Sequence, residues 1–329
     1  MAAERQRAKP AAGPIPKPPR ASNFVGVFGH TTIDHIIEVP RFPEPNTSIE
    51  VTSHRTYRGG TGANIAFIAG CLGVPAALAS FVGEDFPADF RKALDGARVD
   101  STDLRAVPGY TTPTCWIMTE PGQDQVAVIN QGPMKDAASF EVAKHSVDAS
   151  DFVHICTGRP EYYSKVVARA KKKGRKVSFD PGQELHYVYT PEMFEVILER
   201  SNIFFANESE AARALKYLGL HRTADLLDYA PTLVLTRGKK GSEVVTADGT
   251  FKIPIVAGDR FVDPTGAGDG YRAGFYAGLY RGKGLRDSAL AGAAAASFVV
   301  EEKGCQTNPP TWEKLEARLR KRGLKFEGC

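Results

Sequence analysis

Short apolar runs recur along this chain at intervals that leave room for a helix between them. The runs "NFVGVF" (23–28), "AALASFV" (76–82), "DFVHIC" (151–156), "RKVSFD" (175–180), "NIFFAN" (202–207) and "TLVLTR" (232–237) read as buried strands. Helical periodicity falls between them, around 63–72, 86–96, 161–173, 191–200 and 208–218. Strands that are apolar throughout and alternate with helices predict a mainly parallel sheet covered on both faces. After residue 265 the pattern becomes helical, over 267–281, 286–301 and 311–322.

Two segments break this rhythm. Residues 33–57 have β-rich ends around prolines and no helical period, and 111–132 read as two strands about a turn at Pro121-Gly122. Together they predict a small antiparallel sheet projecting from the main one. Placed beside the strand ends, where open α/β sheets bind their ligands, such a sheet is a lid over a cleft. The expected architecture is therefore a three-layer α/β/α domain with a lid.

Charge changes the picture only at one end. The net charge is +4. Residues 1–20 hold five basic residues (Arg5, Arg7, Lys9, Lys17, Arg20) against Glu4, so the rest of the chain is neutral. That Pro/Ala-rich stretch has too little apolar surface to fold, and the expected division is a solvated tail over 1–22 followed by one domain over 23–329. A neutral body argues against nucleic-acid binding as the main function. No apolar run approaches a membrane span, and no signal-peptide core opens the chain, so a cytoplasmic protein is expected. The five cysteines (Cys71, Cys115, Cys156, Cys305, Cys329) are scattered without CxxC spacing, which suggests free thiols rather than a zinc site or disulfides.

The chemistry concentrates in "FVDPTGAGDGYRAGF" (261–275). Glycines cost local stability unless something must approach the backbone. Amides at a helix N-terminus are unpaired and lie at the positive end of the dipole, so Gly266, Ala267 and Gly268 are a candidate anion cradle. Asp269 would repel a phosphate there unless it has work that requires proximity, and deprotonating an attacking hydroxyl is such work. Small residues with an acid at a helix start fit the same stretch as packing alone. Other phosphate motifs are missing: "GKKGS" (238–242) lacks P-loop spacing, and Tyr271 stands where a dinucleotide fingerprint needs its third glycine.

The stretch "DPTGAGDGY" (263–271) resembles the C-terminal signature of the ribokinase-like (PfkB) carbohydrate and nucleoside kinases. "RGGTGANIA" (58–66) is similar to that family's N-terminal glycine signature, "NESE" (207–210) to its Asn-x-x-Glu motif, and "TRGKKGS" (236–242) to its nucleotide strand and turn. The four occur in the family's order, over about residues 23–315. "FPEPNTS", "SFDPGQE" and "ASFVVEEKGCQTN" look like the archaeal broad-specificity nucleoside kinases.

The resemblance implies an ATP- and Mg²⁺-dependent kinase acting on the 5′-hydroxyl of inosine, guanosine, cytidine or adenosine. Asp269 would be the base, and the Gly266–Gly268 amides the anion hole. Asp34, Gly59, Gly60 and Asn64 would bind the acceptor. A carboxylate accepts two hydrogen bonds from a vicinal diol, as on ribose; a turn role for Asp34 and a capping role for Asn64 stand beside this. Thr61 occupies a position where many sugar kinases carry Lys, and Asp180-Pro181-Gly182 replaces their Asp-x-Asn. Asn207 and Glu210 would lie near Mg²⁺ through water, or form a capping box. Thr236, Gly238 and Gly241 would border the nucleotide, with Gly304 and Asn308 near the adenine. Asp263 is placed beside a monovalent-cation site or in a turn. Arg159 reads as a solvated residue that could reach an acceptor phosphate, and His30 and His35 as packed rather than catalytic. A sugar or sugar-phosphate kinase and a silent nucleoside-binding homologue are the competing readings; the latter would be expected to lose the base or the glycines. A homodimer through the lid is also expected, since a small projecting sheet has edges to cover.

Overall fold

The computed structural model describes residues 22–121 and 125–327. The tail assigned to 1–22 therefore lies outside the described residues up to 21, as do Gly122 of the lid turn and Cys329.

Thirteen strands occur among the described residues: β1 (Asn23–Phe28), β2 (Thr32–Glu38), β3 (Ser53–Gly59), β4 (Ala76–Gly83), β5 (Leu104–Val107), β6 (Thr114–Thr119), β7 (Gln125–Asn130), β8 (Ser150–Ile155), β9 (Lys176–Phe179), β10 (Ile203–Asn207), β11 (Thr232–Thr236), β12 (Ser242–Thr246) and β13 (Gly249–Ile253). The helices are α1 (Thr61–Cys71), α2 (Ala88–Gly96), α3 (Lys144–Asp148), α4 (Pro160–Lys172), α5 (Pro191–Leu198), α6 (Glu208–Leu218), α7 (Ala267–Tyr280), α8 (Leu285–Val299) and α9 (Trp312–Lys321).

Nine strands form the main sheet in the order β13-β12-β11-β10-β9-β8-β1-β4-β5. The seven from β11 to β5 run parallel, and the β12–β13 hairpin closes one edge antiparallel. Successive strand residues point to opposite faces, so each apolar run feeds two cores. On one side Val25, Leu78, Phe205 and Val234 pack with α1, α7 and α8; on the other Phe28, Phe179, Phe204 and Leu235 pack with α4, α5 and α6. The sequence reading missed β5 and β12–β13. Their residues alternate or carry charge (Arg105, Glu243, Lys252): β5 and β13 are the two sheet edges, half open to solvent, and β12, next to the exposed β13, keeps alternate residues only partly buried.

Helices α7 and α8 approach closely enough that a Cβ on Gly274 would lie 2.5 Å from the Ala291 carbonyl oxygen, and one on Gly278 would lie 2.6 Å from Ser288 Cα. These glycines repeat every four residues on one face of α7, and that contact fixes the helix carrying Asp269 against the body.

The lid is a four-stranded sheet, β3-β2-β6-β7. It is mixed rather than antiparallel: β2 pairs with β3 antiparallel, but with β6 parallel. The two hairpins leave the body separately, with α1, β4, α2 and β5 between them, and their leading strands run in the same direction. Ile36 and Ile117 turn inward, whereas β7 is exposed along its length.

Candidate active site

The C-terminal ends of the central strands, the N-termini of α1 and α7, and the inner face of the lid converge on two carboxylates. Asp269 lies in the first turn of α7, partly exposed to the cleft. Gly266 caps this helix in the left-handed conformation (φ 79°), a backbone that glycine adopts without penalty. A Cβ there would also meet Cys305 at 2.4 Å. Of the three amides expected to form the anion hole, that of Ala267 is engaged by the Pro264 carbonyl (3.1 Å). The Gly268 and Asp269 amides occupy helix positions with no carbonyl a turn behind them. Asp263 is buried and accepts from the Thr265 amide (2.9 Å), which makes it a turn-former ahead of the helix.

Burial pushes the Asp269 carboxyl up to about 7; the Asn64 amide hydrogen bond and the Arg272 charge oppose this, while Asp180 and Asp34 add to it. Such a carboxyl changes protonation near neutrality, so its ionised form is available there and has the proton affinity that a general base needs. Asn64, on α1, donates to Asp269 Oδ2 (2.8 Å). Asp34, on β2 of the lid, is pushed to about 6 by burial, against the hydroxyl of Thr32, which donates to it (2.5 Å). Gly59 is the floor beneath this carboxylate: a Cβ there would lie 1.9 Å from Asp34 Oδ2. Gly60 (φ +90°) passes the His30 carbonyl, leaving no room for a side chain. The acceptor residues read from two distant motifs thus share one wall of the cleft with the base.

Sequence reasoning overlooked Arg272. It is buried, on the same helix face as Asp269, and donates from Nε to Asp180 Oδ2 (2.7 Å), from Nη2 to Asp180 Oδ1 (3.2 Å) and from Nη1 to the Gly268 carbonyl (3.2 Å). Burial and the charge of Asp180 push the Glu210 carboxyl above its usual range, and Arg272 pulls it back. Two carboxylates therefore share one guanidinium. The available signal was a lone arginine in the apolar run "YRAGFYAGLY", three residues after the acid.

Asn207 and Glu210 form the capping box of α6. Asn207 Oδ1 accepts from the Glu210 amide (2.9 Å), and Glu210 Oε2 accepts from the Asn207 amide (2.8 Å). Asn207 Oδ1 also takes the Ser209 hydroxyl (2.8 Å), so its oxygen is occupied within the cap. Thr236 ends β11 opposite Ser242. Gly238 and Gly241 shape the turn that follows, both at positive φ; a Cβ on Gly241 would strike the Ile253 carbonyl at 2.2 Å. Gly304 lies against the ring of lid residue Tyr57, and Asn308 donates to the Phe298 carbonyl and Glu301 (both 3.1 Å), at the end of α8.

A second polar chain runs under the lid. Thr61 Oγ1 is 2.7 Å from Thr157 Oγ1, which is 2.8 Å from His30 Nδ1; His30 Nε2 meets Gln131, and Gln131 donates to Glu184 (2.7 Å). His30 is buried within this chain, while His35 stacks beside His54 and Trp116 on the lid. Arg159 donates to the Lys135 carbonyl (3.2 Å). Among the described residues, no three His, Cys, Asp or Glu side chains cluster as a metal cage, Cys71, Cys115, Cys156 and Cys305 are free thiols, and no helix is long and apolar enough to cross a membrane.

Known proteins resemble this chain in sequence and in fold. The sequence pattern of the pfkB family of carbohydrate kinases matches residues 22–312. A nucleoside kinase of Methanocaldococcus jannaschii is 40% identical over 294 residues, spanning 89% of this chain and 95% of that protein. A cytidine kinase of Thermococcus kodakarensis is 31% identical, over 84% of this chain and 96% of its own. The crystal structure of the M. jannaschii nucleoside kinase, an archaeal member of the ribokinase family, superposes with a TM-score of 0.85 at 39% identity, over 92% of this chain and all of that one.

Proposed function

The chain belongs to the pfkB family of carbohydrate kinases, and from that premise we propose that it transfers the γ-phosphoryl group of ATP to the 5′-hydroxyl of a nucleoside. The observation that carries this reading is Asp269, a desolvated carboxylate in the first turn of α7, facing Asp34 across the Gly59–Asn64 wall. Asp34 accepts the ribose 2′- and 3′-hydroxyls and sets the 5′-hydroxyl toward Asp269. That oxygen forms a bond to the γ-phosphorus as the bond to the β,γ-bridging oxygen breaks. The hydroxyl proton passes to Asp269 and ADP leaves. Gly266 and Gly268 offer amides to the charge developing on the transferred group.

Thr236, Gly238 and Gly241 form the nucleotide side of the site, with Gly304 and Asn308 farther along it. Glu210 and Asp180 present hard oxygen donors to Mg²⁺. The fit is good: one Arg272 charge stands against two buried carboxylates, leaving an uncompensated negative charge. Magnesium there would neutralise the phosphates and keep several of its waters. The oxygen of Asn207 is committed to the helix cap, so Glu210 is the residue of that pair left to hold it. The domain is assigned to 23–329.

The test is a phosphoryl-transfer assay with ATP and Mg²⁺ over inosine, guanosine, cytidine, adenosine, ribose, fructose and fructose 6-phosphate, with Asp269→Asn alongside. Nucleoside turnover that falls by roughly a thousandfold in the variant is expected, within the 10²–10⁴-fold span of general-base catalysis. Turnover of sugars only would overturn the nucleoside assignment, and nucleoside binding without any turnover would make this a silent homologue.

A further inference from the structure

Asn64 is itself held in place. Gln306, in the loop after α8, donates from Nε2 to Asn64 Oδ1 (2.9 Å), and Asn64 donates from Nδ2 to Asp269 Oδ2 (2.8 Å). Gln306 and Asn64 are only 4% and 5% exposed, so water does not compete for these bonds. The acceptor at the end of the chain dictates its direction. An ionised carboxylate has no hydrogen to give. Asn64 must therefore turn its NH₂ to Asp269 and its oxygen to Gln306, and Gln306 must answer with its own NH₂. The Gln306 oxygen then faces the other way, buried and without a hydrogen-bond partner. Leaving that acceptor unmade has a cost, and the arrangement that incurs it is the one that aims both amides at the carboxylate.

We propose that Gln306 is a positioning residue for phosphoryl transfer, holding Asn64 in the orientation that donates to Asp269. This rests on reading Asp269 as the base. Without the Gln306 donor, the Asn64 amide is free to rotate and set its oxygen against the carboxylate. Asp269 then loses a hydrogen bond that favours its charged form, and its proton affinity rises. The other groups facing Asp269 are Arg272 on its own helix, Asp180 after β9, Asp34 in the lid, and the thiols of Cys156 and Cys305. None of them contacts Gln306 through an identified hydrogen bond, so its replacement leaves their charges in place.

The experiment compares wild type, Gln306→Met, Asn64→Ala and the double variant, with Gln306→Leu as a second replacement should the methionine variant not fold. The carboxyl of Asp269 is titrated by ¹³C NMR of aspartate-labelled full-length protein and assigned by its loss in Asp269→Asn. In Gln306→Met its pKa rises on the order of one unit. The acid limb of the nucleoside kcat profile moves up equally, giving roughly a tenfold loss at pH 6.5 that closes above pH 8.5. In the Asn64→Ala background the Gln306 change adds nothing. An unmoved carboxyl titration, a rate loss equal at all pH values, or additive effects would each overturn the inference. The NMR titration needs no turnover, so a chain inactive on nucleosides would sink the proposed function and leave this readout standing.

Discussion

Gly59→Ala is the smallest change that should disable acceptor binding. An alanine Cβ at this position would lie 1.9 Å from Asp34 Oδ2, 2.2 Å from Cγ and 2.6 Å from Oδ1, so the whole carboxyl group must retreat by about 1 Å or more to reach a normal contact. The backbone offers no escape by strain: Gly59 is not left-handed and ends β3 in register with Thr32. The displaced carboxyl leaves the Thr32 hydroxyl and the place where the ribose diol would bind. Hydrogen bonds to a charged group contribute about 1.5–3 kcal/mol each, and losing two at the lower end comes to about 3 kcal/mol, or roughly 150-fold in affinity. Steady-state kinetics should show the nucleoside KM raised by that order with the ATP KM within about threefold, because Thr236, Gly238 and Gly241, proposed to border the nucleotide, make no identified contact with Gly59 or Asp34. Asp34→Ala should show a similar loss, and adding Gly59→Ala to it should change little. A folded Gly59→Ala protein whose nucleoside KM stays within about threefold of wild type would refute the geometry.

Three further outcomes follow from the same cleft. Because Asp269 titrates at about 7 in the folded protein instead of near 3.8, the native state holds a proton that the unfolded chain releases between those values. Its contribution therefore favours folding at low pH and fades as pH rises through 7; differential scanning calorimetry should find Asp269→Asn melting higher than wild type at pH 8, with the gap closing toward pH 5. Arg272→Met leaves Asp180 and Glu210 buried without their countercharge, a loss of about 3–5 kcal/mol, read as a fall in melting temperature on the order of 10 °C. Asp180→Asn in that background should recover part of it, and a melting point unchanged within about 2 °C would show the trio to be unimportant. The exposed edge of β7 is where a second copy would add to the lid; light scattering at micromolar concentration should report a dimer, and a monomer would count against that edge.

Periodicity and punctuation alone placed the strands of the parallel sheet from β1 to β11 apart from β5, the helices between them apart from the short α3, and the lid segments. The reason is physical: a strand buried on both faces must be apolar at nearly every position, and a helix on such a sheet must be apolar on one side, so both leave a local trace. The edge strands β5 and β13, and β12 beside β13, are partly open to solvent, carry a weaker trace and were missed. Glycines at 59, 60 and 266 were legible as places where something comes close, and the four motifs in family order pointed to what that was.

Tertiary structure alone decided which groups meet. Asn64 and Asp269 are 205 residues apart, and Gln306 and Asn64 are 242 apart, yet they form one hydrogen-bonded line. Asp180 and Arg272, 92 apart, form a buried pair. The direction of the lid's central pairing, β2 beside β6 in parallel, likewise depended on how two separate hairpins come together. Local patterning records whether a side chain is buried, because burial constrains its own polarity. It does not record the partner, since an amide or a carboxylate is satisfied equally well by any complementary group that folding brings within reach.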